Sequence, residues 1–261
     1  MARILVTRPA AQSAPFIASI SANGDEAVAL PLLAIEPVTD EVVIEQAKQR
    51  ILQLADYKHV IFISTNAVHY AWSLIDCYWP QLPVRQQWYA IGKATAGAIH
   101  ALDIEAEQAG ISMNSEALLS HPDLQKIDFE KVLIVRGQGG REHLKVCLQK
   151  RGAQVDYCEV YRRQHLRYPQ GHLAQPMFEK LDILTITSGE TIQQLYDQAI
   201  IDGTLEHLLN IPLVAPGERL VKKALANGFQ KVYKAENAGL DAMHDAIDRV
   251  KNNKKSEGEL P

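Results

Sequence analysis

The sequence predicts an α/β protein built from two similar domains, each with a parallel β-sheet. Two observations lead to this fold class. Short apolar runs of strand length alternate with amphipathic stretches of helix length along the whole chain. Segments of the first half also recur in the second half at constant offsets, which is the pattern of an internal repeat.

Each apolar run is followed by a turn of Gly, Ser, Thr or Pro and then by a stretch with helical spacing, which is typical of parallel sheets. The strand-like runs are RILV (3–6), VIFI (60–63), WYAI (88–91), KVLIV (131–135), DILTI (182–186) and IPLVA (211–215).

Two offsets define the repeat. An offset of 124 residues carries Ser64 onto Ser188 with the same apolar stripe behind it, and carries WYAIGKAT (88–95) onto PLVAPGER (212–219) without a gap. An offset of 128 carries Arg8 onto Arg136, again between an apolar run and a helix-like stretch. The chain therefore contains two copies of one α/β unit.

The repeat can be divided in two ways. A tandem division would fall near residues 120–131, whereas a discontinuous division sends the chain out of the first domain and back through two extended segments that contain or precede Pro37 and Pro169. We favour the discontinuous division, with these expected parts: residues 1–34 plus 168–251 as domain 1, 38–160 as domain 2, 34–38 and 161–167 as a two-stranded β connector, and 252–261 as a disordered tail.

Composition and charge exclude several classes of protein. The 261 residues carry a net charge of −4, so no basic surface for nucleic acid is expected. No apolar run reaches the roughly 18 to 20 residues that span a membrane, and MARILVTRP starts a strand without the features of a signal peptide. Cytoplasmic localisation, a monomer and reduced thiols at Cys77, Cys147 and Cys158 are therefore expected, with no metal site.

The turns after the predicted strands are the candidate binding site. The carboxyl ends of parallel strands and the helix N-termini that follow them favour anions, because first-turn N–H groups lack intrahelical acceptors. Small residues there allow close approach to the backbone, and basic residues supply positive charge. The candidate ligand-binding residues are Arg8, Ser64, Thr65, Asn66, Gly92, Lys93, Thr95, Arg136, Gly137, Gly139, Ser188, Gly189, Pro216, Gly217, Glu218 and Arg219.

Simpler interpretations of these turns stay open. Ser64, Thr65 and Ser188 would be good helix N-caps in any protein. The run RGQGGRE lacks the third glycine of a dinucleotide fingerprint, since Glu142 holds that position. The chain shows none of the usual metal or nucleophile motifs, so an enzyme of this kind would act by holding its substrate.

Several motifs, in their order and spacing, resemble the uroporphyrinogen-III synthase family across about 250 positions. They are LVTRP (5–9), FISTNAV (62–68), AIGKATAGAI (90–99), EVYRR (159–163), TITSGE (185–190) and APGERLVKKALANGF (215–229). The resemblance implies two α/β domains joined by a two-stranded connector. It also implies a cofactor-independent enzyme acting on hydroxymethylbilane, a linear tetrapyrrole with about eight carboxylates, which it dehydrates and cyclises with inversion of ring D.

The resemblance also implies roles for individual residues. The tyrosine of the family's V-Y segment falls on Tyr161, whose phenol would assist departure of the substrate hydroxyl; the alternative, which the residues alone favour, is that Tyr161 only packs the connector. Ser64 and Thr95 match family positions near the substrate. Relatives often carry hydroxyl residues where this chain has Gly217 and Glu218, so side-chain roles differ there.

Two other classes share a two-lobed α/β architecture. A cleft-binding receptor of the periplasmic type is expected to carry a signal peptide, and a nucleotide-sugar transferase is expected to carry a nucleotide-binding acidic residue. The sequence shows neither feature.

Overall fold

The chain forms two compact units in the computed structural model, which describes residues 1–108, 115–174 and 179–258, with side chains as far as Asn253. Unit 1 comprises Met1–Ala34 and Gln164–Pro261, and unit 2 comprises Ile35–Arg163.

Strands and helices alternate through the described chain. The strands are β1 (Arg3–Val6), β2 (Glu26–Ala29), β3 (Leu33–Pro37), β4 (His59–Phe62), β5 (Gln87–Ala90), β6 (Glu107–Gln108), β7 (Lys131–Gly137), β8 (Gln154–His165), β9 (Ile183–Thr185), β10 (Leu213–Pro216) and β11 (Val232–Ala235). The α-helices are α1 (Ala10–Ala22), α2 (Glu41–Leu52), α3 (Thr65–Tyr78), α4 (Lys93–His100), α5 (Ser115–Leu119), α6 (His143–Lys150), α7 (Gly189–Ile201), α8 (Leu205–Asn210), α9 (Gly217–Ala226) and α10 (Leu240–Gly258). Two short 3₁₀ helices span Leu54–Asp56 and Pro122–Leu124.

Unit 1 is a five-stranded sheet in the order β11-β10-β9-β1-β2, and the described pairs are parallel. Alternate residues of β1 enter different cores: Leu5 packs in a cluster with residues of α7, α8 and α9, whereas Ile4 packs with residues of α1 and α10. The sheet therefore has helices on both faces, as its continuous apolar strands predict.

Unit 2 is a six-stranded sheet in the order β3-β8-β7-β4-β5-β6. Strands β4 to β8 pair in parallel, with Phe62 opposite both Ala90 and Val135. One face packs against residues of α2, α3 and α4, and the other against residues of α5 and α6. The predicted fold class, two similar α/β domains with parallel sheets, is confirmed.

The repeat is visible in the topology of the two sheets. At the two offsets, β9, β10 and β11 of unit 1 correspond to β4, β5 and β6 of unit 2, while β1 and β2 correspond to β7 and β8. The five equivalent strands then have the same order in both sheets, and unit 2 has β3 as an additional edge strand. Unit 1 is a circular permutation of this arrangement, because its last two equivalent strands come from the beginning of the chain.

The structure differs from the sequence prediction at the chain end. The sequence predicts a disordered tail from residue 252, whereas the structure continues α10 to Gly258. Met243, Ile247 and Val250 are buried against the sheet of unit 1 and anchor the helix. Once a helix is anchored, each added residue of adequate propensity extends it at little cost.

Candidate functional site

Helix N-termini lie at the carboxyl edge of each sheet, directly after the parallel strands. In unit 2, Ser64 caps α3, and its Oγ accepts a hydrogen bond of 3.0 Å from the Ala67 N–H. In unit 1, Ser188 caps α7, and its Oγ accepts one of 3.1 Å from the Thr191 N–H. The N-cap interpretation of both serines is therefore realised, and it leaves the N–H groups of N1 and N2 without intrahelical acceptors.

Five of the candidate ligand-binding residues present exposed side chains or backbone at these edges. They are Thr65, Lys93 and Gly139 in unit 2, and Glu218 and Arg219 in unit 1. Lys93 opens α4, and Arg219 lies in the first turn of α9. Glu218 lies 3.7 Å from Lys234, which offsets its negative charge. Each unit thus has at least one exposed cation beside a helix N-terminus.

Arg136 is placed differently from the sequence expectation, because only 3% of it is exposed. Its Nε donates to the Gly137 carbonyl at 3.1 Å and its Nη1 donates to the Arg141 carbonyl at 3.3 Å. The guanidinium also lies 4.4 Å from the centroid of the Tyr157 ring. Arg136 therefore holds the loop after β7 in place, and the structure does not bring it to the exposed edge.

Arg8 is half-buried at the end of β1 in unit 1. Its Nη2 donates to the Ala238 carbonyl at 2.7 Å, and its guanidinium lies 4.6 Å from the centroid of the Phe16 ring. Its Nε is buried and has no hydrogen-bond partner among the described residues. Burial accordingly lowers the pKa of Arg8 from its usual value. Arg8 Nε is thus a buried donor without a partner in the described part of the chain.

Tyr161 is buried in unit 2, with 1% exposed. Its Oη lies 3.1 Å from Ser64 Oγ, and its ring stacks on Tyr70 with centroids 5.9 Å apart. A Cβ at Gly137 would collide with Cε2 and Cζ of Tyr161, so glycine is required beneath the ring. The phenol is thus buried, and its hydrogen-bond partner among the described residues is Ser64 at the edge of the sheet.

The other candidate residues have supporting positions at the same edges. Thr95 is buried in the first turn of α4, and Gly92 is the buried N-cap of that helix. Gly189 opens α7, and its carbonyl accepts a 2.6 Å hydrogen bond from Lys223 Nζ. Gly217 adopts φ +70° at the start of α9, which a side chain would disfavour. Asn66 and Pro216 are half-buried.

Three residues that support the site are absent from the sequence prediction. Tyr70 packs on Tyr161 and donates to the Ile35 carbonyl at 2.9 Å. Thr7 and Thr185 are buried at the ends of β1 and β9, where Thr7 donates to the Thr185 carbonyl and Thr185 to the Leu5 carbonyl, each at 2.7 Å. The sequence signal that could have identified the two threonines is a hydroxyl residue in or directly after an otherwise apolar strand. A buried hydroxyl needs a hydrogen-bond partner, so such a residue indicates a specific contact.

A further polar cluster lies at the opposite edge of the unit 2 sheet, where β4 begins. The buried His59 places Nε2 2.7 Å from Glu130 Oε2 and Nδ1 3.2 Å from the Tyr89 hydroxyl. Lys58 Nζ also donates to Glu130, at 2.5 Å. Burial lowers the pKa of His59 despite Glu130. Burial would raise the pKa of Glu130, but hydrogen bonds from Lys58 and His59 outweigh it and lower that pKa.

Neither a membrane-spanning helix nor a metal site is found in the described part of the chain. No helix there is long and apolar enough to cross a bilayer. No group of three or more His, Cys, Asp or Glu side chains there is arranged to hold a metal ion.

Comparison with known proteins agrees with this architecture. The family model described as "Uroporphyrinogen-III synthase HemD" matches residues 14–245. Uroporphyrinogen-III synthase of Escherichia coli (strain K12) is 33% identical over 253 residues, and that of Salmonella typhimurium (strain LT2) is 33% identical over 246 residues. Each match covers 94% of this chain and 99% of the relative.

Solved structures show the same fold at low identity. A mutant uroporphyrinogen III synthase of Thermus thermophilus has a TM-score of 0.66 at 17% identity, covering 97% of this chain and 100% of that one. The uroporphyrinogen-III synthetase of Helicobacter pylori 26695 has a TM-score of 0.59 at 16% identity, covering 96% and 100%. With a family match through most of its length and relatives one third identical, the chain belongs to the uroporphyrinogen-III synthase family of cyclising lyases in tetrapyrrole biosynthesis.

Proposed function

We propose that this chain converts hydroxymethylbilane to uroporphyrinogen III, with loss of water and inversion of ring D. The observation that carries the proposal is the identity of one third to two enzymes named for this activity. The similarity extends over almost the full length of this chain and of each relative. The geometry agrees with it, because turns that favour anions suit a substrate with about eight carboxylates.

The chemistry needs positioning more than acid or base catalysis. The pyrrole nitrogen next to the hydroxymethyl group can expel the hydroxyl, which takes up a proton from solvent and leaves as water, and an azafulvenium cation forms. The substituted carbon of ring D attacks this cation to give a spirocyclic intermediate. The earlier bond from that carbon to the chain then breaks, and ring D rejoins the chain through its unsubstituted carbon with loss of a proton. A free bilane closes at the unsubstituted carbon to give the type I isomer. The protein's task is to hold the chain in the less favoured geometry, and a fixed arrangement of reactants can supply a large part of a barrier.

The exposed residues at the sheet edges are suited to bind the substrate carboxylates. Lys93 and Arg219 supply charge, Thr65 supplies a hydroxyl, and the first-turn N–H groups of α3 and α7 supply donors. Arg8, which is half-buried at the edge of the unit 1 sheet, adds a further positive charge. Arg136 contributes by fixing the loop that carries Gly139. Because the ligand has many carboxylates, no single contact is indispensable.

We further propose that the enzyme is a cytoplasmic monomer. Cys77, Cys147 and Cys158 are all free, as expected in a reducing compartment. The exposed large apolar side chains are spread over many separate elements, from Val42 in α2 to Leu225 in α9, as expected for a monomer.

The test is the isomer composition of the product. Enzymatically generated hydroxymethylbilane is incubated with the protein, the product is oxidised, and the porphyrin isomers are separated by chromatography. We expect mainly type III isomer with the protein and type I without it. An unchanged proportion of type I isomer would refute the proposed function.

Point variants then test the binding edge. Lys93→Ala and Arg219→Ala should each raise KM about 10-fold, the value of a solvated charge-assisted contact, and leave the type III product unchanged. Lys150→Ala is the matched control, since Lys150 is exposed at the C-terminal end of α6 and hence at the opposite edge of the unit 2 sheet. A variant of Lys93 or Arg219 that abolished turnover at normal affinity would contradict the positioning model.

A further inference from the structure

We propose that Tyr161 acts through Ser64: the phenol orients the serine hydroxyl, and Ser64 donates its hydrogen bond to a carboxylate of the substrate. Tyr161 is then a positioning residue, and Ser64 is the residue in contact with the ligand. This inference rests on the proposed function, because it assigns a role within the same site.

A β-bulge directs Tyr161 toward Ser64. Arg136 pairs with Glu159, but the next residue, Gly137, pairs with Tyr161, so Val160 is the extra residue in β8. In a regular strand, neighbouring side chains point to opposite faces. Here Val160 and Tyr161 both enter the core cluster that contains residues of α3. The bulge therefore moves the phenol to the face on which α3 begins.

Three contacts then fix the position of the phenol. Gly137 lies beneath the ring, where even a methyl group would collide with it. Tyr70 stacks on the ring, with an interplanar angle of 28°. Ser64 Oγ lies 3.1 Å from the hydroxyl. The described hydrogen-bond partner of the buried phenol oxygen is therefore Ser64.

The two hydroxyl protons of Ser64 and Tyr161 determine which of these residues donates the hydrogen bond between them. Two hydroxyl groups share one hydrogen bond, so one of their two protons remains for another acceptor. Ser64 Oγ already accepts from the Ala67 N–H, at 3.0 Å. If Ser64 donated to Tyr161, the remaining proton would be on the buried phenol, where an unmade hydrogen bond is costly. If Tyr161 donates, the remaining proton is on Ser64, which is only half-buried.

The location of Ser64 indicates which acceptor it meets. It caps the 14-residue helix α3, whose N-terminus carries partial positive charge. An anionic oxygen is favoured there, and a carboxylate can accept both the Ser64 hydroxyl and a first-turn N–H. The phenol's own contribution is a second hydrogen bond to Ser64 Oγ, beside the cap bond from the Ala67 N–H, which directs the remaining serine proton.

The experiment uses a bilane that lacks the terminal hydroxyl group. This probe keeps the carboxylates and cannot react, so calorimetric titration measures binding alone. Ser64→Ala should weaken binding about 10-fold and Tyr161→Phe about 3-fold, as for loss and misorientation of one charge-assisted hydrogen bond. Because the two groups act in series, the double variant should bind no more weakly than Ser64→Ala.

Two controls separate this role from a loss of stability. Ser64→Thr keeps both the cap and the hydroxyl and should restore binding. Asp40→Ala removes the side-chain cap of α2, where Asp40 Oδ1 accepts from the Val42 N–H at 2.9 Å, and Asp40 is not among the proposed binding residues. It should lower Tm about as much as Ser64→Ala does and leave binding of the probe unchanged. Gly137→Ala keeps every hydroxyl but displaces the ring, and should weaken binding as Tyr161→Phe does.

Two results would overturn the inference. One is additive losses in the double variant, which would mean that the two hydroxyls contact the ligand independently. The other is unchanged binding of the probe together with slow turnover of hydroxymethylbilane, which would place the phenol at the departing hydroxyl. Failure of the proposed function is distinguishable from both, because it would show as type I product from the wild-type protein.

Discussion

Replacing Arg136 by alanine separates two roles for this residue that the sequence does not distinguish. A residue that binds substrate from an exposed edge should affect KM, whereas a buried residue that holds a loop should affect stability. The substitution removes two hydrogen bonds to the carbonyls of Gly137 and Arg141, and the contact between the guanidinium and the Tyr157 ring. It also leaves a cavity beneath the loop.

The magnitude follows from these contacts. Hydrogen bonds of 3.1 and 3.3 Å are long, so each is placed at the low end of the range for a charged donor, about 1.5 kcal/mol. Loss of the cation–π contact costs about a further 1 kcal/mol. Removing the buried charge of the guanidinium recovers about 1 kcal/mol of desolvation free energy. The expected net loss is about 3 kcal/mol, or roughly 6 to 12 °C in Tm.

The assay is thermal and urea unfolding, together with KM from the isomer assay. Lys93→Ala is the comparison, because an exposed lysine should change stability by no more than about 0.5 kcal/mol. We expect Arg136→Ala to lower Tm, and Lys93→Ala to raise KM at unchanged Tm. If Arg136→Ala kept the wild-type Tm and raised KM alone, the buried placement of this guanidinium would be refuted.

Three further predictions concern buried groups and glycines. Burial lowers the pKa of His59 below its unfolded value. The free energy of unfolding should therefore fall as the pH drops below about 6.5 toward the folded pKa, because the unfolded state then binds the proton more tightly. In urea unfolding at several pH values, His59→Gln should make the free energy of unfolding depend less on pH. Burial raises the pKa of Cys158 to about 12, so its reactive thiolate form is rare at pH 8. A thiol reagent at pH 8 should therefore modify the exposed Cys77 of the native protein and react with Cys158 only after unfolding. Rapid modification of both cysteines in the native protein would contradict this prediction. Gly97→Ala should raise the free energy of unfolding by about 0.5 to 1 kcal/mol, because Gly97 is helical and a Cβ there would meet no other atom. Gly152→Ala should lower the free energy of unfolding, because φ is +85° and the new Cβ would lie 2.6 Å from Asp128 Oδ1. Equal effects of the two substitutions would refute the distinction.

The sequence determined the fold class, the repeat and the family. Strand and helix periodicities are local properties, so RILV (3–6) and KVLIV (131–135) both became strands in the predicted places. The two copies of the pattern keep the same spacing because each forms a sheet of the same topology, and the five equivalent strands have the same order in both sheets. The family prediction from ordered motifs is confirmed by the match over residues 14–245. Turns after strands could also be located, since they follow from the periodicity.

Tertiary structure alone decided which residues in those turns are exposed. The sequence predicts both Arg136 and Lys93 in turns after strands, yet Arg136 is buried at the end of β7 and Lys93 is exposed at the start of α4. The bulge at Gly137 is equally invisible in the sequence, because it depends on the register between β7 and β8. It brings Tyr161 to Ser64, which is 97 positions away in the chain. Periodicity describes which face of its own element a residue occupies, whereas burial and hydrogen-bond partners depend on elements distant in sequence.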